Sequence, residues 1–107
     1  MATKYITVFC TVPDETTATT IARQLVESQL AACCNIVPGL RSIYIWKGEI
    51  QDDKELLLII KSKASIFPKL EAKIKSLHPY EVPEILAIPV DSGNETYLTW
   101  LDENVQD

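Results

Sequence analysis

Twice along its 107 residues the hydrophobic period of this chain switches from two to about 3.6 and back. Residues 4–12 alternate, with Ile6, Val8, Cys10 and Val12 on one face and Tyr5, Thr7, Phe9 and Thr11 on the other. Pro13 ends this strand. Asp14 suits an N-cap, Glu15 suits the positive end of a helix dipole, and Ala18, Ile21, Ala22, Leu25 and Val26 recur at helical spacing to about Leu30. Residues 31–37 read as extended. Pro38-Gly39 is a bend or bulge, because residues 40–47 alternate again with Tyr44 and Trp46 on one side and Ile43 and Ile45 on the other. Gly48 marks a hairpin turn, drawn as a long one that runs into residues 51–53. The next strand covers 54–62, apolar on both faces over 56–60.

Ser65 is a candidate cap for a second helix, which tolerates Pro68 only in its first turn. Phe67, Leu70, Ile74 and Leu77 form its stripe, and His78 before Pro79 closes it. Residues 84–90 form a fourth strand, which Pro89 either ends or confines to an edge. Asn94 caps a short last helix carrying Tyr97, Leu98 and Leu101. The order β-α-β-β-α-β with a short C-terminal helix predicts an α+β, ferredoxin-like sandwich in one domain, residues 1–107. In that arrangement the strands lie 4-1-3-2, and right-handed crossovers put both helices on one sheet face.

The opposite face should then alternate with polar residues if water covers it. It instead offers Tyr5, Phe9, Tyr44, Trp46 and the two-faced apolar strand at 56–60. At roughly 25 cal/mol per Å² of apolar area, covering such a face is favourable. A chain of this length has no second layer to spend on it, so the expected cover is another copy of the chain. On that reading Trp46, Leu58 and Ile59 are inaccessible in the assembly.

Composition narrows the function. Fifteen acidic against ten basic residues give a net charge of -5. Phosphate backbones would repel such a chain, which argues against nucleic-acid binding. The longest apolar run, 56–60, is too short for membrane insertion, and the N-terminal segment reads as a strand without the features of a secretory signal. Three cysteines, Cys10, Cys33 and Cys34, make a poor disulfide framework, so a reduced, cytoplasmic protein is expected. Cys33-Cys34 reads as packing residues, with a strained vicinal disulfide as the alternative.

The single histidine, His78, excludes two-His metal motifs within a subunit, and no Cys-x-x-Cys, phosphate loop or nucleophile elbow occurs. An enzyme is disfavoured. Antiparallel pairing of the first and fourth strands does bring Cys10 toward His78, a thiol and an imidazole suited to copper. The plainer alternative is a packed core thiol and a helix-ending histidine. The loop from Pro79 to Glu84 carries Tyr80, Glu81 and Glu84 between prolines and offers oxygen ligands for a cation. Trp46, Lys61, Tyr80 and Glu84 are candidates for a ligand cleft between subunits.

The segments from Cys10 to Glu15, Leu30 to Ile36, Ser42 to Glu49 and His78 to Ile85, followed by Tyr97-Leu98-Thr99-Trp100-Leu101, resemble the successive signatures of the CutA divalent-cation-tolerance family. The resemblance runs in order along nearly the whole chain. It implies a ferredoxin-like homotrimer of unusual stability, similar to the trimers of PII signalling proteins and linked to tolerance of copper and other divalent cations. In bacterial members it implies copper at a Cys matching Cys10 and at two adjacent His before Pro-Tyr. Here His78 is the second of that pair, and Leu77 stands at the first. The implied function is copper or divalent-cation binding by a homotrimer, with Cys10, His78, Glu81 and Glu84 as ligands. A PII-like signalling trimer that binds a small molecule in its clefts is the alternative.

Overall fold

The computed structural model describes residues 3–107, so the first two residues of the N-terminal segment discussed above lie outside the described residues. Four strands, β1 (Tyr5–Val12), β2 (Cys33–Trp46), β3 (Glu49–Lys63) and β4 (Leu86–Pro89), form one antiparallel sheet in the order β2-β3-β1-β4. This is the expected order, read from the opposite edge. Helices α1 (Glu15–Glu27) and α2 (Phe67–Leu77) follow β1 and β3, and α3 (Glu95–Glu103) follows β4.

Alternation decides which residues of β1 are buried. Ile6, Val8, Cys10 and Val12 pack beneath the helices with Leu58, Ile60, Ile21, Leu25, Leu70 and Ile74. Asp14 caps α1 by accepting the Thr17 amide N–H at 2.8 Å. The helix stops at Glu27, three residues before the expected Leu30. Gln29 takes a left-handed conformation (φ 59°), and the Leu30 and Gln29 amides donate to the carbonyls of Leu25 and Val26. That pattern closes the helix as a Schellman motif with a non-glycine residue at its left-handed position.

β2 and β3 pair well beyond the rest of the sheet, from Leu40↔Glu55 to Trp46↔Glu49, and form a projecting arm. A bulge at Pro38–Gly39 precedes it, as expected, with Gly39 at φ +81°. The turn is tight rather than long: Lys47 and Gly48 both have positive φ (50° and 79°), the signature of a two-residue type I′ hairpin. Residues 51–53 therefore belong to β3. They are polar because the arm is solvated around them, not because they form a turn. α2 is entered through a 3₁₀ turn (Ala64–Ile66) with no side-chain cap, so Ser65 does not cap it. β4 is shorter than the expected 84–90 and ends at Pro89 on the sheet edge. Asn94 does cap α3, accepting the Tyr97 amide N–H at 2.9 Å.

α3 closes the end of the sheet where β1 starts and β3 finishes. Lys63, 2% exposed, bonds Asp107 at 2.9 Å and Asp102 at 3.3 Å, and Asp102 also meets Lys4 at 3.1 Å. Leu101 and Val105 join the core. On the face opposite the helices, Phe9 and Ile59 are half-buried, while Leu86 and Ile88 on the edge strand are exposed. Leu58 is fully buried beneath the helices within one chain, so it does not belong to that face.

Candidate functional site

Pro79 forces His78 out of the helical region, to φ -82° and ψ 133°. That turn aims the imidazole back at the end of β1. Its Nε2 lies 2.8 Å from the carbonyl oxygen of Thr11, and its Nδ1 lies 3.1 Å from the Tyr80 amide nitrogen. A carbonyl only accepts and an amide N–H only donates. The ring is therefore the neutral tautomer with the proton on Nε2, and both nitrogens are engaged. Cys10 precedes Thr11, so the expected neighbourhood of Cys10 and His78 exists. The Cys10 side chain, however, points into the helix-covered core and is fully buried. Burial, helped by the negative charges of Glu84, Cys34 and Glu55, pushes its thiol up to about 12.

On the other face of the sheet, the root of the arm and the Pro79–Glu84 loop enclose a cleft of about 790 Å³. Tyr80 and Glu55 form its floor: the Tyr80 hydroxyl donates to Glu55 Oε2 at 2.7 Å. Burial and the adjacent Glu55 carboxylate raise the Tyr80 phenol above its ordinary value. Higher on the arm the Tyr44 hydroxyl donates to Asp53 Oδ2, which pushes that phenol up to about 12. Trp46, Glu81 and Glu84 complete the walls.

Three of the four proposed cleft residues, Trp46, Tyr80 and Glu84, thus line one cleft of a single protomer. Lys61 does not join them there. It stands six residues from Glu55 along β3, about 20 Å at strand rise, and bonds the Asn35 side chain beside Cys33. Cys33 and Cys34 are successive strand residues whose side chains leave opposite faces, and all three cysteines are free. Among the described residues, no three or more His, Cys, Asp or Glu side chains are grouped to hold a metal ion. Leu77, at the position of the first histidine of the family pair, packs against the core.

Glu55, Asp53 and Thr11 were not singled out from the sequence. Glu55 is the informative omission, a carboxylate only 6% exposed. Its place follows from the register beyond the bulge, where it sits opposite Leu40. A bulge shifts register by an amount the residue pattern does not specify.

The family model described as "CutA1 divalent ion tolerance protein" matches residues 6–104. The chain belongs to the CutA divalent-ion tolerance family. A divalent-cation tolerance protein CutA of Thermus thermophilus is 59% identical over 97 residues, covering 91% of this chain and 94% of the relative. Its solved structure superimposes with a TM-score of 0.93, covering 95% of this chain and 99% of that one. CutA1 from Oryza sativa superimposes with a TM-score of 0.95 at 40% identity, covering 99% of this chain and 97% of that structure. The rice relative described as chloroplastic is 42% identical over 102 residues, 95% of this chain and 58% of the relative, so the chain spans little more than half of that protein. A family member from Archaeoglobus fulgidus, described as periplasmic, superimposes at 0.92 with 35% identity, covering 95% of this chain and 99% of that one. Among the described residues of this chain, no helix is long and apolar enough to cross a membrane.

Proposed function

We propose that this chain, folded as one domain, is the protomer of a cytoplasmic, non-catalytic homotrimer of divalent-cation homeostasis. In this reading it binds copper through Cys10 and His78, with Glu81 and Glu84 as nearby oxygen donors. The observation that supports the reading is the hydrogen bond from His78 to the carbonyl of Thr11, the residue that follows Cys10 in β1. The cytoplasmic assignment rests on three free thiols, which a reducing compartment keeps reduced.

Both soft donors are committed in the metal-free protomer. Copper must displace the Cys10 proton and one of the two hydrogen bonds of His78, and Leu77 adds no donor. Affinity is therefore moderate. It is higher for copper than for zinc or nickel, and it falls as pH falls because protons compete for both ligands. Copper titration by calorimetry tests this. Cys10→Ser and His78→Ala should each weaken binding at least tenfold, and Leu77→His should strengthen it. Unchanged binding in both removals would place the copper elsewhere and leave Cys10 a core thiol.

A second reading has its own support. Trp46, Tyr80 and Glu84 meet in one cleft beside the arm, which favours a small-molecule site of the kind a PII-like signalling trimer would use.

A further inference from the structure

We propose that residues 104–107 form a strap that gates Lys63. Closed, the strap holds α3 over the end of the sheet and hides the amine; open, it releases α3 and makes Lys63 an acceptor for acyl groups. It lies at the end of the sheet away from Cys10 and the arm. Its contacts are made within one chain, so they hold whether or not other copies cover the outer face.

Helix α3 has little of its own to hold it in place. It has nine residues, fewer than the roughly 12–15 at which an isolated helix becomes even marginal in water. Leu101 is its buried residue, while Tyr97 and Trp100 are exposed. Its attachment therefore falls to the residues that follow. Val105 is 4% exposed and joins the core. The Gln106 amide N–H donates to the Gln29 carbonyl at 2.8 Å, its Nε2 donates to the Ser28 carbonyl at 2.9 Å, and its Oε1 accepts from Lys69 Nζ at 3.4 Å. One glutamine thus ties the end of α3 to the turn that closes α1 and to α2. The last turn of α1 carries no basic side chain, so the strap supplies donors at that end.

Asp107 completes the strap. It is itself exposed, yet it accepts from Lys63 Nζ at 2.9 Å, and the Lys63 side chain is only 3% exposed. The second carboxylate on Lys63, Asp102 at 3.3 Å, is shared with Lys4. A buried ammonium that loses one of two carboxylates is costly in place, so it turns to water when the strap lifts. The bond to Asp107 also raises the Lys63 pKa from its ordinary value of 10.5, with burial opposing and Asp102 adding to the effect. A closed strap thus keeps the nitrogen protonated as well as hidden. Sparse apolar burial and solvent-exposed hydrogen bonds mark a segment that opens ahead of the rest of the fold.

The test is acetylation of the full chain by N-acetoxysuccinimide, with each lysine followed by mass spectrometry. The amine nitrogen bonds the acetyl carbon, N-hydroxysuccinimide leaves and the surplus proton goes to buffer. In the wild type Lys63 should label roughly tenfold more slowly than Lys75, whose side chain is 60% exposed. In Gln106→Ala/Asp107→Asn, Lys63 should label roughly tenfold faster than in the wild type, with Lys75 unchanged. Hydrogen exchange should rise across residues 95–105 in that variant while β1 and β3 stay protected. If circular dichroism shows that the double variant does not fold, Asp107→Asn alone, at an exposed position, should speed Lys63 several-fold. Lys63 labelling as fast as Lys75 in the wild type, or at an unchanged rate in the folded variant, would overturn the proposal. Loss of protection in β1 and β3 together with α3 would also overturn it, because the tail would then support the whole fold and gate nothing locally.

Discussion

Neighbouring residues on the same strands meet very different surroundings on the two faces of the sheet. Beneath the helices Val8, Cys10, Leu58 and Ile60 are completely shielded from water. On the other face Phe9 and Ile59, paired with each other, are only half-buried, and Leu86, opposite Phe9 on β4, is 58% exposed. The outer face mixes Phe9, Leu57, Ile59, Leu86 and Ile88 with Thr7, Thr11 and Lys61, so it is less apolar than the inner one but far from fully polar. The chain carries two crossover helices, and right-handed connections send both to the same side. One face is completed within the chain. The other keeps its apolar residues, its arm and its cleft, and a partner of matching shape is the economical way to cover them.

The strongest test of this asymmetry is one substitution moved by a single residue. Leu58→Lys places a charge in the protomer's own core and should prevent folding, seen as loss of the far-ultraviolet dichroism signal. Ile59→Lys places the same charge on the other face. It should leave the fold in place but cost the assembly about 3–5 kcal/mol, the penalty of an uncompensated charge in an interface. An Ile59→Lys protein with wild-type assembly and melting would show that this face is free.

A smaller effect belongs to the cleft. Tyr80→Phe removes the donor to the buried Glu55 carboxylate and should cost about 1–3 kcal/mol in chemical denaturation. If stability is unchanged, Glu55 is already satisfied by solvent, and the open side of the molecule is wetter than the account holds.

The smallest effect concerns the end that α3 closes. The side-chain bonds from Lys4 and Lys63 hold the Asp102 carboxyl below its ordinary value of 3.8. A carboxylate whose pKa is lower in the folded state stabilises the fold above the unfolded value, and that contribution fades as pH falls through the folded one. Wild type should therefore exceed Asp102→Asn in stability near neutral pH, and the gap should narrow below about pH 4. Denaturation curves at pH 7 and pH 3 check the sign. A gap that widens in acid would mean that Asp102 acts through packing and not through charge.

Element order and strand order were both legible because the period switches and the crossover rule leave few topologies. The points that escaped depend on single backbone conformations or on register. Nothing in the composition of Gln29 announces a left-handed residue that ends α1 three positions early. Gln51, Asp52 and Asp53 read as a turn because polar residues mark turns and solvated arms alike. Cys10 and His78 were brought near each other by topology alone, but the pattern of β1 had already assigned Cys10 to the face with Val8, and the structure keeps it there. Lys61 shares the alternation phase of Glu55, yet within one protomer it does not reach the cleft that Trp46, Tyr80 and Glu84 line. Phase fixes a face and not a position along it, and six residues separate the two.

Sedimentation of the wild-type chain at micromolar concentration tests the central claim most directly, that the open side is completed by symmetric copies. Three copies of a 12.0 kDa chain should move as one species of about three times that mass, as a closed three-fold ring requires. A single species at the monomer mass would mean that the exposed face needs no partner and would contradict the account.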